Sequence, residues 1–448
     1  MIQTLFLEFV EKYFRKFVGK ITEKFNDKSK EPELLHKTML REEYSADMTW
    51  EAEGIDHNVI AADVVSMDST LPLKRRDTLR RAGGKLPKIG IKFKLGEKQI
   101  SDINVMISRG TEESTIAAKI FNDVEKSIKG VDVRTEIMFL QAFSTGFCLV
   151  ESDENDGTGI RVNYGYKEEN TMHALVAAWG ESTATPIDDI RQLFDKADED
   201  GNNIGYIFLS KKRLDNIRNS DQGKTLVAGY QNQLYTDVAN LKVPSRKTML
   251  EALNDEFDAV FEVVGASYKI QGVNGKFSYV KPFDEDNIIA TPDKVVGRLV
   301  YGTLVEETKP VAGVTYQKSG SHILVSKFSK NEPFAEFTTA QAICLPVIDG
   351  VEGIYVLHTD STGSSLSLSP STMNFAVGAG SKTADIHYDG SMGDLTISSN
   401  QTYATATRKG GKLTVKMTAN ASGSQRTATI TVSDGTESAT ISLTQAAS

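Results

Sequence analysis

The densest run of chemistry-bearing side chains lies between residues 74 and 98. It comprises Lys74, Arg75, Arg76, Arg80, Arg81, Lys85, Lys88, Lys92, Lys94 and Lys98, opposed only by Asp77 and Glu97. Such a row can hold phosphates or carboxylates but makes no covalent chemistry by itself. Other motifs fail on spacing. Setting Gly201 of Asp198-Glu199-Asp200-Gly201 at the sixth place of a calcium loop puts Lys196 first and Ile207 twelfth, where carboxylates are required. The acidic tract 152–157 fails likewise, with Asn163 at the twelfth place. Gly275-Lys276 lacks the rest of a phosphate loop, because Ile270 and Phe277 stand where Gly and Ser or Thr are needed. His36, His57, His173, His322, His358 and His387 are scattered, so no local zinc motif exists, and there is no Gly-x-Ser-x-Gly elbow. The expectation is a non-enzyme with no catalytic residue, cofactor or metal.

The cations sit in a pattern that implies structure. Ile89, Ile91, Phe93 and Leu95 alternate with Lys88, Gly90, Lys92 and Lys94, the period of a half-buried strand with a lysine face. Gly83-Gly84 and Pro87 mark a turn before it. Read together, 71–99 is a two-stranded finger, which is marginal in water unless another surface covers it. A neighbouring acidic subunit is the favoured cover, with a solvated face or a nucleic-acid patch as the rivals. The lysines alternate with apolar residues, and a disordered basic tail would not.

Around this finger the sequence predicts an α+β protein followed by an all-β unit. Phe6, Val10, Tyr13, Phe17, Ile21 and Phe25 recur at helical spacing, which predicts an amphipathic helix docked on its own chain or a neighbour. Glu8, Glu11 and Glu23 dilute its basic face, which argues against a membrane-surface helix. Glu8, Glu11, Lys12, Arg15 and Lys16 break the apolar run of a signal peptide. No stretch approaches the roughly 20 apolar residues that span a bilayer, so no membrane partner is expected. Thr111-Glu112-Glu113 opens a helix bearing Ile116, Ile120, Val124 and Ile128, Gly130 closes it, and a second helix follows over 131–144. Helices are expected over 186–197 and 245–257, a buried strand over 204–209, and a hairpin about Asn274-Gly275.

Lys plus Arg number 51 against 60 Asp plus Glu, a net charge of -9, which argues against a protein whose whole surface grips nucleic acid. Cys148 and Cys344 lie in apolar strand-like runs and read as buried hydrophobes. After a Ser-, Thr- and Gly-rich linker at 360–365, eight short Thr- and Val-rich runs predict a separate β-sandwich. The expected divisions are an N-terminal arm at 1–45, a loop region at 46–110, a helix and strands at 111–169, an α+β domain at 170–293, returning strands at 294–360 and the sandwich at 363–448.

Several passages carry a resemblance to known families. Ala62-Asp63-Val64-Val65-Ser66, Leu71-Pro72-Leu73-Lys74-Arg75-Arg76 and the run from Leu86 to Leu95 resemble the E-loop region of tailed-phage major capsid proteins of the lambda "protein E" group. Arg134-Thr135-Glu136-Ile137-Met138 through Gln141-Ala142-Phe143-Ser144-Thr145-Gly146 resembles that group's segment after the spine helix. The resemblance implies a Hong Kong ninety-seven-like fold of N-arm, E-loop, spine helix, P-domain and A-domain, and an icosahedral shell of hexamers and pentamers around double-stranded DNA. It implies assembly in the host cytoplasm, portal and scaffold partners, and inter-subunit contact through Lys74 to Lys94. Leu368-Ser369-Pro370, Asn374-Phe375, the run from Arg426 to Val432 and that from Thr440 to Gln445 resemble the BACON-type immunoglobulin-like domain. Leucine stands at 395 where that family often has tryptophan. Glycan contact would fall to Tyr388 and Tyr403, since Phe375 sits in a core pattern. The alternatives are an encapsulin-like nanocompartment shell and a glycan-binding bacterial surface protein; the latter needs a secretion signal, which the first 25 residues do not supply.

Overall fold

The computed structural model describes residues 3–26, 34–51, 83–150, 160–232, 237–272, 275–332, 334–360, 366–370, 372–388, 395–433 and 438–447. Lys74, Arg75, Arg76, Arg80, Arg81 and the first half of the expected finger lie outside them. Two compact units result, 1–172 with 186–357, and 173–185 with 358–448.

The first unit is α+β, built on one long helix and a six-stranded sheet. The helix runs Glu113–Thr145 without a break, so Gly130 does not end it. A glycine inside a helix costs about 1 kcal/mol relative to alanine. Here tertiary contact outweighs that cost: a Cβ at Gly130 would lie 3.0 Å from Ile91 Cδ1, so the glycine lets the lysine strand cross the helix closely. Gly146, at φ +74°, ends the helix, its N–H donating to the Ala142 carbonyl at 2.8 Å.

The sheet contains Leu40–Tyr44, Gly297–Gly302, Phe334–Ile348, Ile323–Asn331 and Thr315–Ser319 in that order, and Lys88–Gly96 also pairs with Phe334–Ile348. Gln341 pairs with both Leu324 and Gly90, so Ile323–Asn331 and the lysine strand lie on opposite edges of the 15-residue strand. This corrects the expected finger. The strand Lys88–Gly96 is held by its own sheet, and the chain then turns into a helix, Glu97–Ser108, rather than remaining extended to residue 99. Its apolar residues cover the long helix, which an isolated hairpin could not do. Gly83–Lys85 pairs with Thr49–Glu51 instead of forming a hairpin arm with 88–96.

The N-terminal segment is helical from Leu7 to Asn26, with a π-helical stretch over Val10–Phe14. It docks on its own unit. The buried face is Phe6, Val10, Phe14, Val18 and Ile21, while Tyr13 and Phe17 of the expected stripe only flank it. The π stretch raises the local period, so steps of four stay on one face. Phe14 and Phe17 pack on Phe121 at ring separations of 5.9 and 5.4 Å.

A buried charge pair fixes the end of this segment. Lys327 and Glu336 are wholly buried, with Nζ 3.7 Å from Oε1. Lys327 Nζ also donates to Thr338 Oγ1 at 3.2 Å and to the Ile120 carbonyl at 3.4 Å. Glu336 accepts from the Leu5 N–H at 3.0 Å and from the Thr4 hydroxyl. Desolvation pushes the Lys327 pKa down.

The remaining elements of the first unit carry the α+β insertion. Asn287–Thr291, Tyr206–Ser210 and Val260–Val264 are adjacent strands of a second sheet. Pro186–Glu199, Lys211–Asn219, Asp221–Tyr230 and Arg246–Phe257 are helices. Ser210, Ser220 and Ser245 cap the last three through side-chain oxygens, a signal present in the sequence. The hairpin Tyr268–Gln271 with Phe277–Val280 turns through Gly275 at φ +75°.

Cys148 and Cys344 are fully buried, and burial pushes both thiols up to about 12. Neither should react with a maleimide in the folded protein at pH 8. Unfolding in urea should expose both, which thiol counting before and after denaturant checks.

Among the described residues of the second unit, eight strands form two four-stranded sheets around one core. The sheet orders are Ser367–Ser369, Gly380–His387, Lys412–Met417, Ala404–Lys409, and Thr372–Phe375, Ser438–Gln445, Arg426–Ser433, Thr396–Ser399. Phe375, Leu413, Val415, Ile430, Val432 and Ile441 are buried between them. Gln445 is fully buried and satisfied, its Nε2 donating to the Ala376, Gly378 and Thr418 carbonyls at 2.9 to 3.1 Å.

Candidate functional site

Four separate parts of the first unit bring their cations to one place. A groove of about 1280 Å³ is lined by Lys85, Lys88, Lys92, Arg134, Arg161 and Lys269, with no Asp or Glu among the described residues of its lining. Its walls are the lysine strand, the long helix from Gly130 to Met138, the hairpin strand Ile160–Asn163 and the strand Tyr268–Gln271. The half-buried Ile89 and Ile91 place apolar surface between the charges. On a chain of net charge -9, a lining of one sign makes a local positive field.

Of the predicted cations in the described residues, Lys85, Lys88 and Lys92 line the groove, and Lys94 is exposed beside it without lining it. Lys88 Nζ lies 3.2 Å from Glu306 Oε1, and that cation helps pull the Glu306 carboxyl below its usual range against the opposing effect of burial. The Lys92 ammonium stands over Phe337 at 4.6 Å and Phe328 at 5.6 Å. Lys269 stacks similarly over Phe277 at 3.9 Å. Arg134, Arg161 and Lys269 were not found as site residues from sequence, because each is a single cation in its own segment and only folding makes them neighbours.

A second cavity, of about 240 Å³, is mixed in charge. Lys37, His36 and His322 face Asp132 and Glu42 there. His36 Nδ1 and Glu136 Oε2 meet at 2.7 Å, and Lys37 Nζ reaches Asp132 at 2.7 Å. Burial pushes the His322 pKa down. The described residues hold no group of three or more His, Cys, Asp or Glu arranged for a metal ion.

In the sandwich, neither proposed glycan contact is a free ring. Tyr388 and Tyr403 are half-buried against the core, and the Tyr403 hydroxyl donates to the Thr427 carbonyl at 2.7 Å. The Arg426 guanidinium covers one Tyr403 face at 4.0 Å from the ring centroid.

Residues 18–331 match the family described as phage major capsid protein E. The chain belongs to that family. It is therefore a structural subunit of a phage capsid, a component of the virion that assembles with copies of itself. Residues 395–446 match the BACON family, described as a putative binding domain. No curated protein matches the chain. Similar solved structures include a phage-related protein from Bordetella bronchiseptica RB50, 10% identical, covering 77% of this chain and 96% of that one at a TM-score of 0.44. The satellite phage P4 procapsid is 10% identical over 77% of this chain and 90% of that one, at 0.39. The cyanophage A-1(L) capsid is 13% identical over 72% and 90%, at 0.38. No helix among the described residues is long and apolar enough to cross a membrane.

Proposed function

We propose that this capsid protein builds the icosahedral head of a tailed phage around double-stranded DNA, without catalysis. In the Hong Kong ninety-seven-like arrangement, the helix Glu113–Thr145 is the spine, and the insertion from about 186 to 291 is the A-domain. The six-stranded sheet belongs to the P-domain. Lys74 to Lys94 take part in contacts between neighbouring subunits, with portal and scaffold proteins as further partners and the host cytoplasm as the place of assembly. The BACON-type domain is an immunoglobulin-like exterior decoration. Glycan binding through Tyr388 and Tyr403 is the weaker reading, because the Tyr403 ring is engaged by Arg426.

The observation that carries subunit contact is the groove lined, among the described residues, by six cations and no carboxylate on an acidic chain. Repeating one heterologous contact between copies closes rings, and many modest contacts together stabilise a shell. Electron microscopy of the purified full chain tests this. Shells, or rings of five and six copies, are the expected result, and a stable monomer at high concentration overturns the reading.

A further inference from the structure

We propose that the hairpin turn Gly320-Ser321-His322 is an acid-released clasp on the N-terminal helix: when His322 takes up a proton, the turn lets go of the end of Arg15–Asn26. The turn joins Thr315–Ser319 to Ile323–Asn331, with Gly320 at φ +64°. It grips the helix through hydroxyls. Thr22 Oγ1 donates to the Val18 carbonyl at 2.9 Å, so in the 2.7 Å contact between Thr22 and Ser319 the Ser319 hydroxyl is the donor. The strand Leu40–Tyr44 is gripped through Ser321, whose hydroxyl donates to Glu42 Oε2 at 2.6 Å. That bond fixes the tautomer of the histidine. With its own hydrogen given to a carboxylate, Ser321 Oγ can only accept from His322 Nδ1, 3.2 Å away, so Nδ1 carries the ring hydrogen and Nε2 is a bare lone pair. Among the described residues Nε2 is buried without a hydrogen-bond partner, and the whole residue is 8% exposed. A proton arriving there makes an N–H with no acceptor and a charge that water solvates poorly.

Charges reach His322 from three packed elements. Burial is the largest effect and holds its pKa below the ordinary value; Asp132 of the long helix and Glu42 of the strand favour the imidazolium, while His36 and Lys37 of His36–Met39 oppose it. Tyr301 adds a ring at 5.8 Å but no charge. The cavity of about 240 Å³ that His322 lines gives the protonated ring access to water, at the cost of its bond to Ser321. A pKa lowered by folding means that the open turn binds the proton more tightly. The clasp is therefore at full strength above the ordinary histidine value of about 6.5 and weakens as pH falls through the folded value. Phe14, Val18 and Ile21 anchor the earlier turns of the helix in the core, so release is confined to residues 22–26.

Amide exchange of the unassembled full chain at pH 7.5 and pH 5.0, corrected for the intrinsic pH dependence of exchange, tests the clasp. In the native chain, exchange over 22–26 should be about fivefold or more faster at pH 5.0. His322→Asn keeps a donor near the Nδ1 position and cannot titrate, so its exchange should be the same at both pH values. Ser321→Ala keeps the imidazole and breaks the grip on Glu42, so exchange should be fast already at pH 7.5. His36→Gln removes the neighbouring imidazole and should leave the acid response in place. Thermal melting at pH 7.5 confirms that the variants fold, and Ser321→Ala carries the test should His322→Asn not fold. A native chain without acid acceleration overturns the proposal, as does a His322→Asn chain that accelerates like the native one. Ser321→Ala exchange as slow as native at pH 7.5, or loss of the response in His36→Gln, overturns it equally.

Discussion

Glu336→Ala should destabilise the first unit by about 3–5 kcal/mol, read as a lower urea midpoint for the unassembled chain. The size follows from what remains. Lys327 is wholly buried, and its ammonium would lose the only carboxylate within 4 Å among the described residues. Losing one member of a buried pair leaves an uncompensated charge in a medium that solvates it poorly. The Leu5 N–H and the Thr4 hydroxyl would lose their acceptor as well, so protease cleavage before residue 10 should speed up. A double variant, Lys327→Met with Glu336→Leu, separates the two effects. It should recover most of the stability, since a buried ion pair replaced by apolar residues of similar volume is often neutral. Faster N-terminal cleavage should persist, because the anchor for Thr4 and Leu5 is still missing. Equal instability of the single and double variants would contradict the account.

Phe143→Ala should cost a comparable amount, about 3–5 kcal/mol, by opening a cavity that the surroundings fill only partly. Phe143 is fully buried near the C-terminal end of the long helix. Its ring stacks on Phe139 at 5.6 Å, meets Phe208 edge-on at 5.1 Å and approaches Phe283 at 6.5 Å. The helix is thereby bonded to the α+β insertion through one aromatic cluster. Ser144 reinforces the joint, its hydroxyl accepting from the Asp284 N–H and its carbonyl from Asn287 Nδ2, both at 2.9 Å. Phe143→Leu should restore much of the loss, because it refills most of the volume. Denaturation monitored by far-UV circular dichroism tests the pair, and an alanine variant as stable as the native chain would refute the packing argument.

Local patterns in the sequence were sufficient for several elements with one side facing a core. The eight sandwich strands, the helix capped by Ser245 and the Gly275 turn all follow from period, caps and turn residues, which act within a few positions along the chain, whereas the helices Lys211–Asn219 and Asp221–Tyr230 were not expected. The two cysteines were legible as buried for the same reason. Gly130 misled because propensity is local, whereas its neighbour Ile91 comes from a strand 39 positions earlier. The buried lysine at 327 gave only a faint sign, standing two positions after Val325 in an apolar strand.

The amino-acid order by itself determined which residues alternate, that helices begin near 113, 186 and 246, and that the lysines of 88–94 share a strand face. Tertiary structure alone decided that this strand lies in its own sheet and that Arg134, Arg161 and Lys269 join its cations. The physical reason is range. Hydrogen-bond periodicity is written into neighbouring residues, while strand pairing and the summed field of distant charges exist only after the chain has closed its long loops.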